Sequence, residues 1–122
     1  MKLEVLSENN IKIIEVLSDK KLIKDTQSAL DLVMTVKYDT GAERIVINKK
    51  NVVDEFFVLS NGIAGEILQK FINYHIKVAF YGDYSFYTSK PLKDFIYESN
   101  KGNDFFFVNS REEAIQKLEN AI

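Results

Sequence analysis

Residues 82 to 91 read Gly82-Asp83-Tyr84-Ser85-Phe86-Tyr87-Thr88-Ser89-Lys90-Pro91, a run that sets hydroxyls, a carboxylate and an ammonium among three aromatic rings. Ser89 has the side chain of a helix N-cap, and Pro91 suits a first helical turn, where its missing N–H costs nothing. The unpaired amides of that turn, with the Lys90 ammonium, form the kind of positive end that holds a phosphate or carboxylate. Asp83, Ser85, Thr88, Ser89 and Lys90 are therefore the candidate ligand or anion residues. The rings suggest a second chemistry. Tyr81, Tyr84, Phe86 and Tyr87, joined by Tyr97 further on, form a candidate protein interface, because tyrosine suits contacts that are apolar on one side and wet on the other. A plainer account competes with both: a hydroxyl before Lys-Pro is needed simply to start a helix, and the rings then pack the loop.

No other stretch spells a nucleophile, an acid–base pair or a metal set. The chain has no cysteine and one histidine, which removes thiolate chemistry and a cysteine-based zinc framework. His75 falls where a helix meets a strand, a place where imidazole most often serves exposed helix carbonyls. Asp83, Asp94 and Glu98 are acids near the rim, but a calcium or magnesium site needs a further oxygen ligand and convergence in space. Neither a GxxxxGK(S/T) loop nor a GxGxxG fingerprint occurs, so the common phosphate-binding loops are missing. The sequence assigns no catalytic residue, no metal and no cofactor. The pairs Lys20-Lys21 and Lys49-Lys50 read as ordinary solvated surface.

Sixteen Lys and Arg stand against eighteen Asp and Glu in 122 residues, and the signs alternate along the chain. A nucleic-acid footprint is not expected of such a pattern. Hydrophobic residues make up 46% of the chain, with one proline and five glycines. That is enough apolar material for a core, and the length suits one domain spanning residues 1–122. Met1 to Asn10 lacks the apolar stretch of a signal peptide, and no run of about 18 uncharged apolar residues occurs. The expectation is a soluble cytoplasmic protein with no membrane partner, in keeping with the lack of cysteine.

Apolar periodicity supplies the elements that must position these residues. Leu3 and Val5, then Ile11, Ile13, Ile14 and Val16, flank Ser7-Glu8-Asn9-Asn10 and predict an antiparallel hairpin. Ala29, Leu30, Val33, Met34 and Val36 predict a helix from Thr26 to Asp39, with Gly41 as its stop. RIVIN at 44–48 is a short buried strand, Val52 to Leu59 a helical turn, and Ser60 the cap of a helix carrying Ile63, Ile67, Leu68, Phe71 and Ile72. Ser60, Ala64 and Gly65 are expected to keep the start of that helix slim against the sheet. Ile76 to Tyr81 forms the fourth strand, Pro91 to Glu98 a helix, and Asp104 to Val108 the fifth strand. Ser110 and Glu113 form a capping box on the last helix. The order β-β-α-β-α-β-α-β-α predicts an α/β domain: a mixed, mostly parallel five-stranded sheet with an amino-terminal hairpin, right-handed crossovers and flanking helices. The rim at 82–91 then follows the carboxyl end of a parallel strand, where ligands bind in open α/β sheets.

This order resembles the sulfate-transporter and anti-sigma-factor-antagonist (STAS) architecture of bacterial partner-switching regulators, over nearly the whole chain. In that family the phosphate-bearing residue lies in a motif Asp-Ser-Ser-Gly-Leu-Gly after the third strand, which maps here onto Leu59-Ser60-Asn61-Gly62-Ile63-Ala64. Ser60 and Gly62 match. Leu59 replaces the acid and Asn61 stands where the phosphorylated hydroxyl would be, which departs from the switch motif at its reacting position; Ser60 itself remains as the candidate phosphorylation site. A closer resemblance rests on SALDL at 28–32, RIVINK at 44–49, AGEILQKFINY at 64–74 and YTSKPLKDFIYESNKG at 87–102. Together they are similar to a family of short bacterial proteins known only as a domain of unknown function, the 4180 series. That resemblance implies a bacterial origin and a compact domain, and it brings no catalytic residue with it.

The reading that follows is a non-enzymatic cytoplasmic module working through protein contacts, as a homodimer or with a regulatory partner. The competing reading is a small-molecule or anion binder, with room for weak enzymatic activity, that uses the 82–91 rim. A third is phosphorylation of Ser60 or Ser89 governing partner choice, since added negative charge is tolerated at a helix amino end.

Overall fold

Apolar runs bounded by polar turns become the strands of one sheet: β1 (Lys2–Ser7), β2 (Ile13–Leu17), β3 (Arg44–Asn48), β4 (Lys77–Tyr81) and β5 (Phe105–Val108). They stand side by side in chain order. β1 is antiparallel to β2, and the three later pairings are parallel. This is the mixed, mostly parallel sheet that the element order predicts. The computed structural model describes residues 1–7 and 11–122. Within it the hairpin runs from Lys2 opposite Leu17 to Ser7 opposite Ile13, with an irregularity between Val5 and Ser7. The expected turn at Ser7-Glu8-Asn9-Asn10 lies, from Glu8 onward, outside the described residues.

Helices α1 (Thr26–Thr40), α2 (Ile63–Asn73) and α3 (Lys90–Lys101) connect the parallel strands, and α4 (Arg111–Asn120) follows β5. Side chains alternate across a strand, so each central strand feeds two cores and reads as an unbroken apolar run. Ile14, Ile45, Ile47, Val78, Phe80 and Phe107 face one way, under Val33, Ile67, Phe71 and Leu92 of the three crossover helices. Ile13, Val46, Ala79, Phe106 and Val108 face the other way, under Ala114 and Leu118 of α4. Among the described residues no helix is long and apolar enough to cross a membrane.

The caps agree with the sequence at three helices and differ at one. Asp25 and Ser28 form a reciprocal capping box on α1, and Gly41, at φ 72°, ends that helix. Ser89 Oγ accepts from Leu92 N–H on α3, and Ser110 Oγ accepts from Glu113 N–H at 3.2 Å on α4, the accepting half of the expected box. Ser60 does not cap α2. The chain reaches α2 through single 3-10 turns at Lys49–Asn51, Asp54–Phe57 and Leu59–Asn61, and Ser60 sits inside the last of these. Gly62, at φ 77°, is the N-cap. Asn61 satisfies the entry instead, its Oδ1 accepting from Ile63 N–H and its Nδ2 donating to Glu55 O, both at 2.9 Å. An Asn-Gly turn, which tolerates positive φ, thus outcompetes the serine cap. Gly65 is exposed with nothing within 4 Å of where its Cβ would lie, so the close contact of α2 belongs to buried Ala64 alone. His75, at φ 59°, turns the chain from α2 into β4, and its backbone N–H donates to Ile72 O at 3.0 Å.

Candidate functional site

β3 and β4 end together, with Asn48 opposite Tyr81. The chain leaves both strands at the same edge, through Lys49 and Gly82. Beyond this point the Lys49 ammonium lies 5.1 Å from the ring centre of Phe57, 5.8 Å from Tyr84, 4.8 Å from Phe86 and 4.9 Å from Tyr87. These rings form an aromatic cage, whose negative faces attract a cation. They also brace one another: Phe57 stacks on Tyr87 at 5.5 Å, Tyr87 lies 4.5 Å from Phe86, and Tyr84 meets Phe57 edge-on at 5.9 Å. Among the described residues Lys49 takes part in no ion pair.

The loop that carries three of these rings is tied down locally. Asp83 Oδ1 accepts from Ser85 N–H at 2.8 Å and from Ser85 Oγ–H at 2.6 Å. The Ser85 hydroxyl and amide together hold the Asp83 carboxyl below the usual carboxylate range. The Tyr84 hydroxyl donates to Phe80 O at 3.0 Å, and burial pushes the phenol well above its ordinary value.

Beside the cage, the turns at 54–61 face the segment 86–92 across a groove of about 850 Å³. Phe57, Val58, Leu59, Phe86, Tyr87, Pro91 and Leu92 wall it, while Asp54, Ser60, Thr88 and Ser89 supply its polar atoms. Phe57, Phe86 and Tyr87 belong to the cage and the groove at once. The Lys49 ammonium therefore fixes one wall of the groove from behind.

The structure brings together some of the predicted residues and separates others. Thr88 and Ser89 line the groove, as does exposed Ser60. Lys90 does not: its Nζ donates to Asp94 Oδ2 at 2.7 Å along the exposed side of α3. Asp83 and Ser85 serve each other. Glu98 pairs with Lys101, whose Nζ also lies 4.2 Å over the Tyr97 ring, away from the cage. Tyr84, Phe86 and Tyr87 gather as expected, but only Phe86 is exposed, at 62%, and the other two are half-buried. Tyr81 belongs elsewhere. Strand alternation sends Phe80 to the face of the crossover helices and Tyr81 to the face of α4. There the Tyr81 hydroxyl donates to Glu15 Oε2 at 2.8 Å.

Two residues of consequence escaped the sequence reading. Glu15, only 2% exposed, accepts from Tyr81 and from Arg111 Nε, and Arg111 also lies 3.8 Å from Glu4. Burial and the Glu15 hydrogen bond raise the Tyr81 phenol, and the bond to Glu15 raises the Arg111 guanidinium. The available signal was one acid inside the apolar strand IIEVL. Lys49 is the other: the Lys49-Lys50 pair suggests solvated surface, but the Lys49 ammonium lies among four rings. Its signal was position, directly after a buried parallel strand at the sheet's carboxyl edge, where side chains converge on ligands.

Fold and groove define a small α/β domain whose open carboxyl edge carries an apolar, aromatic-walled groove. The chain belongs to the family described as a domain of unknown function (DUF4180), whose model matches residues 8–118. Neither the curated proteins nor the solved structures compared with the chain give a match.

Proposed function

We propose that this domain is a non-enzymatic binding module whose working surface is the groove between 54–61 and 86–92, and that it takes a small apolar molecule with one anionic end. The observation that carries this reading is the groove itself, about 850 Å³ with predominantly apolar walls and a few hydroxyls. Ligand sites of proteins are commonly of this size and make-up, with sparse polar groups fixing orientation. The amino end of α3 opens at Ser89, so a single carboxylate or phosphate is favoured there by the helix amides. Asp54 lies in the same lining and disfavours a ligand of higher negative charge. The Lys49 cage holds Phe57, Phe86 and Tyr87 before the ligand arrives, which lowers the ordering cost of binding.

Titration of isotope-labelled protein with octanoate and with anilinonaphthalene sulfonate tests this reading. Saturable shifts confined to residues 54–60 and 86–92, lost in Val58→Asp, are expected. Shifts scattered over the surface, or unchanged in the variant, reject it.

A second reading is a protein contact, either self-association or a partner switch of the kind the STAS-like element order suggests. Phe86 and Val58, 62% and 52% exposed at the groove, favour it, since apolar rims of this kind mark interfaces. Light scattering separates the two. A dimer that dissociates in Phe86→Ser supports the contact, and a monomer that binds octanoate supports the ligand.

A further inference from the structure

We infer that the outer edge of β1 is a dimerisation surface, on which β1 of a second copy of this chain pairs antiparallel and continues the sheet across a two-fold axis. The two edges of the sheet differ. At the β5 edge the Asn100 side chain stands in for a further strand: its Oδ1 accepts from Phe107 N–H at 2.7 Å and its Nδ2 donates to Phe107 O at 3.0 Å. At the β1 edge, among the described residues, no backbone group meets β1 from outside. Alternate residues of an edge strand point N–H and C=O away from their neighbour, a template that another strand completes. The irregularity between Val5 and Ser7 ends the regular stretch, which leaves residues 1–5 to pair.

Side-chain faces and charge choose the partner and its register. Alternation turns Leu3 and Val5 to the face of the crossover helices, where Leu3 meets the core, and Lys2 and Glu4 to the face of α4, where Glu4 lies 3.8 Å from Arg111. A two-fold axis through Leu3 keeps these faces matched and gives an isologous contact. It sets Leu3 against Leu3 of the second copy, Lys2 against its Glu4 on either side of the axis, and Met1 against its Val5. Met1 and Val5 are 60% and 45% exposed, apolar side chains that this pairing covers. The neighbouring face-matched registers centre the contact on Lys2 or on Glu4. Each of these then opposes its own copy, and like charges directly opposite are destabilising. Charge therefore admits Leu3 as the centre and rejects its two neighbours.

The same register answers a local shortage of positive charge. Glu4 stands directly opposite Glu15, and among the described residues Arg111 is the one cation paired with either. Lys2 is exposed and enters no ion pair among the described residues of its own chain. Lys2 of the second copy reaches Glu4 from the side away from Glu15 and brings a second cation. A contact one strand wide belongs to the small, dissociable class of interfaces, so monomer and dimer exchange as concentration changes. No groove residue belongs to β1, and β2 and β3 stand between β1 and β4. Dimer formation and ligand binding in the groove are thus independent.

Sedimentation equilibrium of the full chain, with amide exchange read at low and high concentration, tests this. A monomer–dimer equilibrium is expected, and alternate amides of residues 2–5 should gain protection as the dimer forms. Lys2→Glu and Glu4→Lys each set like charges across the axis and should weaken the dimer at least about tenfold, a difference of about 1.4 kcal/mol. Both positions are exposed, so the fold should persist. Mixed in equal amounts, the two variants should form a heterodimer, because the charges of each copy then meet their opposites. Wild-type self-association in Lys2→Glu overturns the inference, as does a mixture that fails to recover the dimer. A dimer that Phe86→Ser dissociates also overturns it and puts the contact at the groove. So does a protein that stays monomeric up to about 1 mM, whether β1 is then bare or takes an extended segment of a different protein.

Discussion

Gly82 and Lys49 are packed so closely that a Cβ on Gly82 would stand 2.7 Å from Lys49 Cβ and 3.3 Å from its Cδ. The stem of the caged lysine crosses the space that a side chain at 82 would fill. Glycine is required here for close approach.

Gly82→Ala is therefore expected to push the Lys49 stem aside and draw its ammonium out of the ring cluster. Overpacking of this kind costs about 1–3 kcal/mol. Gly65→Ala is the control, because its Cβ would meet nothing within 4 Å. In an exposed helical position that change should be neutral or stabilise by about 0.5–1 kcal/mol. Urea unfolding of both variants decides the matter. Equal effects at the two glycines would show that Lys49 moves freely.

The cage predicts coupling between Lys49 and its rings. Lys49→Met keeps the stem and removes the charge, and should cost about 0.5–2 kcal/mol from the lost cation–π attraction. Tyr87→Leu removes one ring, and in the double variant the two losses should not add. Amide exchange should quicken across residues 83–88 in Lys49→Met. Strict additivity, with unaltered exchange, would reduce the cage to coincidental proximity.

Most of the fold was legible because it rests on local pattern. RIVIN, KVAFY and FFFV are continuous apolar runs, and continuity is what burial on both faces of a parallel strand demands. Ser89 and Ser110 were readable as caps because a hydroxyl reaching the third amide is a short-range event. The α2 start misled because Ser60 and Asn61-Gly62 offer rival local solutions, and only packing of the 54–61 turns decides between them. The site was half legible. Thr88, Ser89 and three rings are neighbours in sequence, so the 82–91 stretch could be seen as one rim. Lys49 and Phe57 come from the preceding crossover, and Glu15 meets Arg111 across 96 positions of chain. Such convergence depends on strand register, which single residues do not announce.

The register also sets Glu4 directly opposite Glu15 on neighbouring strands. Like charges so placed are destabilising, and Arg111 lies against both. Arg111→Met leaves the Glu15 carboxylate buried without its cation, which should cost on the order of 3 kcal/mol. Replacing both partners, as Glu15→Met/Arg111→Met, should recover much of that loss, because the uncompensated charge is gone. Thermal unfolding of the two variants checks the sign. An Arg111→Met protein as stable as the parent would mean that Glu15 reaches water.

Alkaline stability should report on the loop that walls the groove. Burial raises the Tyr84 phenol above its ordinary 10.0, and burial with the Glu15 hydrogen bond does the same for Tyr81. A group whose folded state holds its proton more tightly stabilises the fold fully below its unfolded value. That contribution declines as pH rises above it, because the unfolded chain then releases a proton that the folded chain keeps. Stability should thus be level up to about pH 10 and fall beyond it, by at most about 1.4 kcal/mol per pH unit for each such tyrosine. Tyr84→Phe should lose about 0.5–1.5 kcal/mol at neutral pH with the bond to Phe80 O, and should show a shallower decline between about pH 10 and 12. Denaturant unfolding along that pH series, with tyrosinate absorbance read in parallel, gives both quantities. If Tyr84 ionises in the folded protein along with the exposed tyrosines, the loop opens freely and the groove lacks the preformed wall on which the proposed ligand site relies.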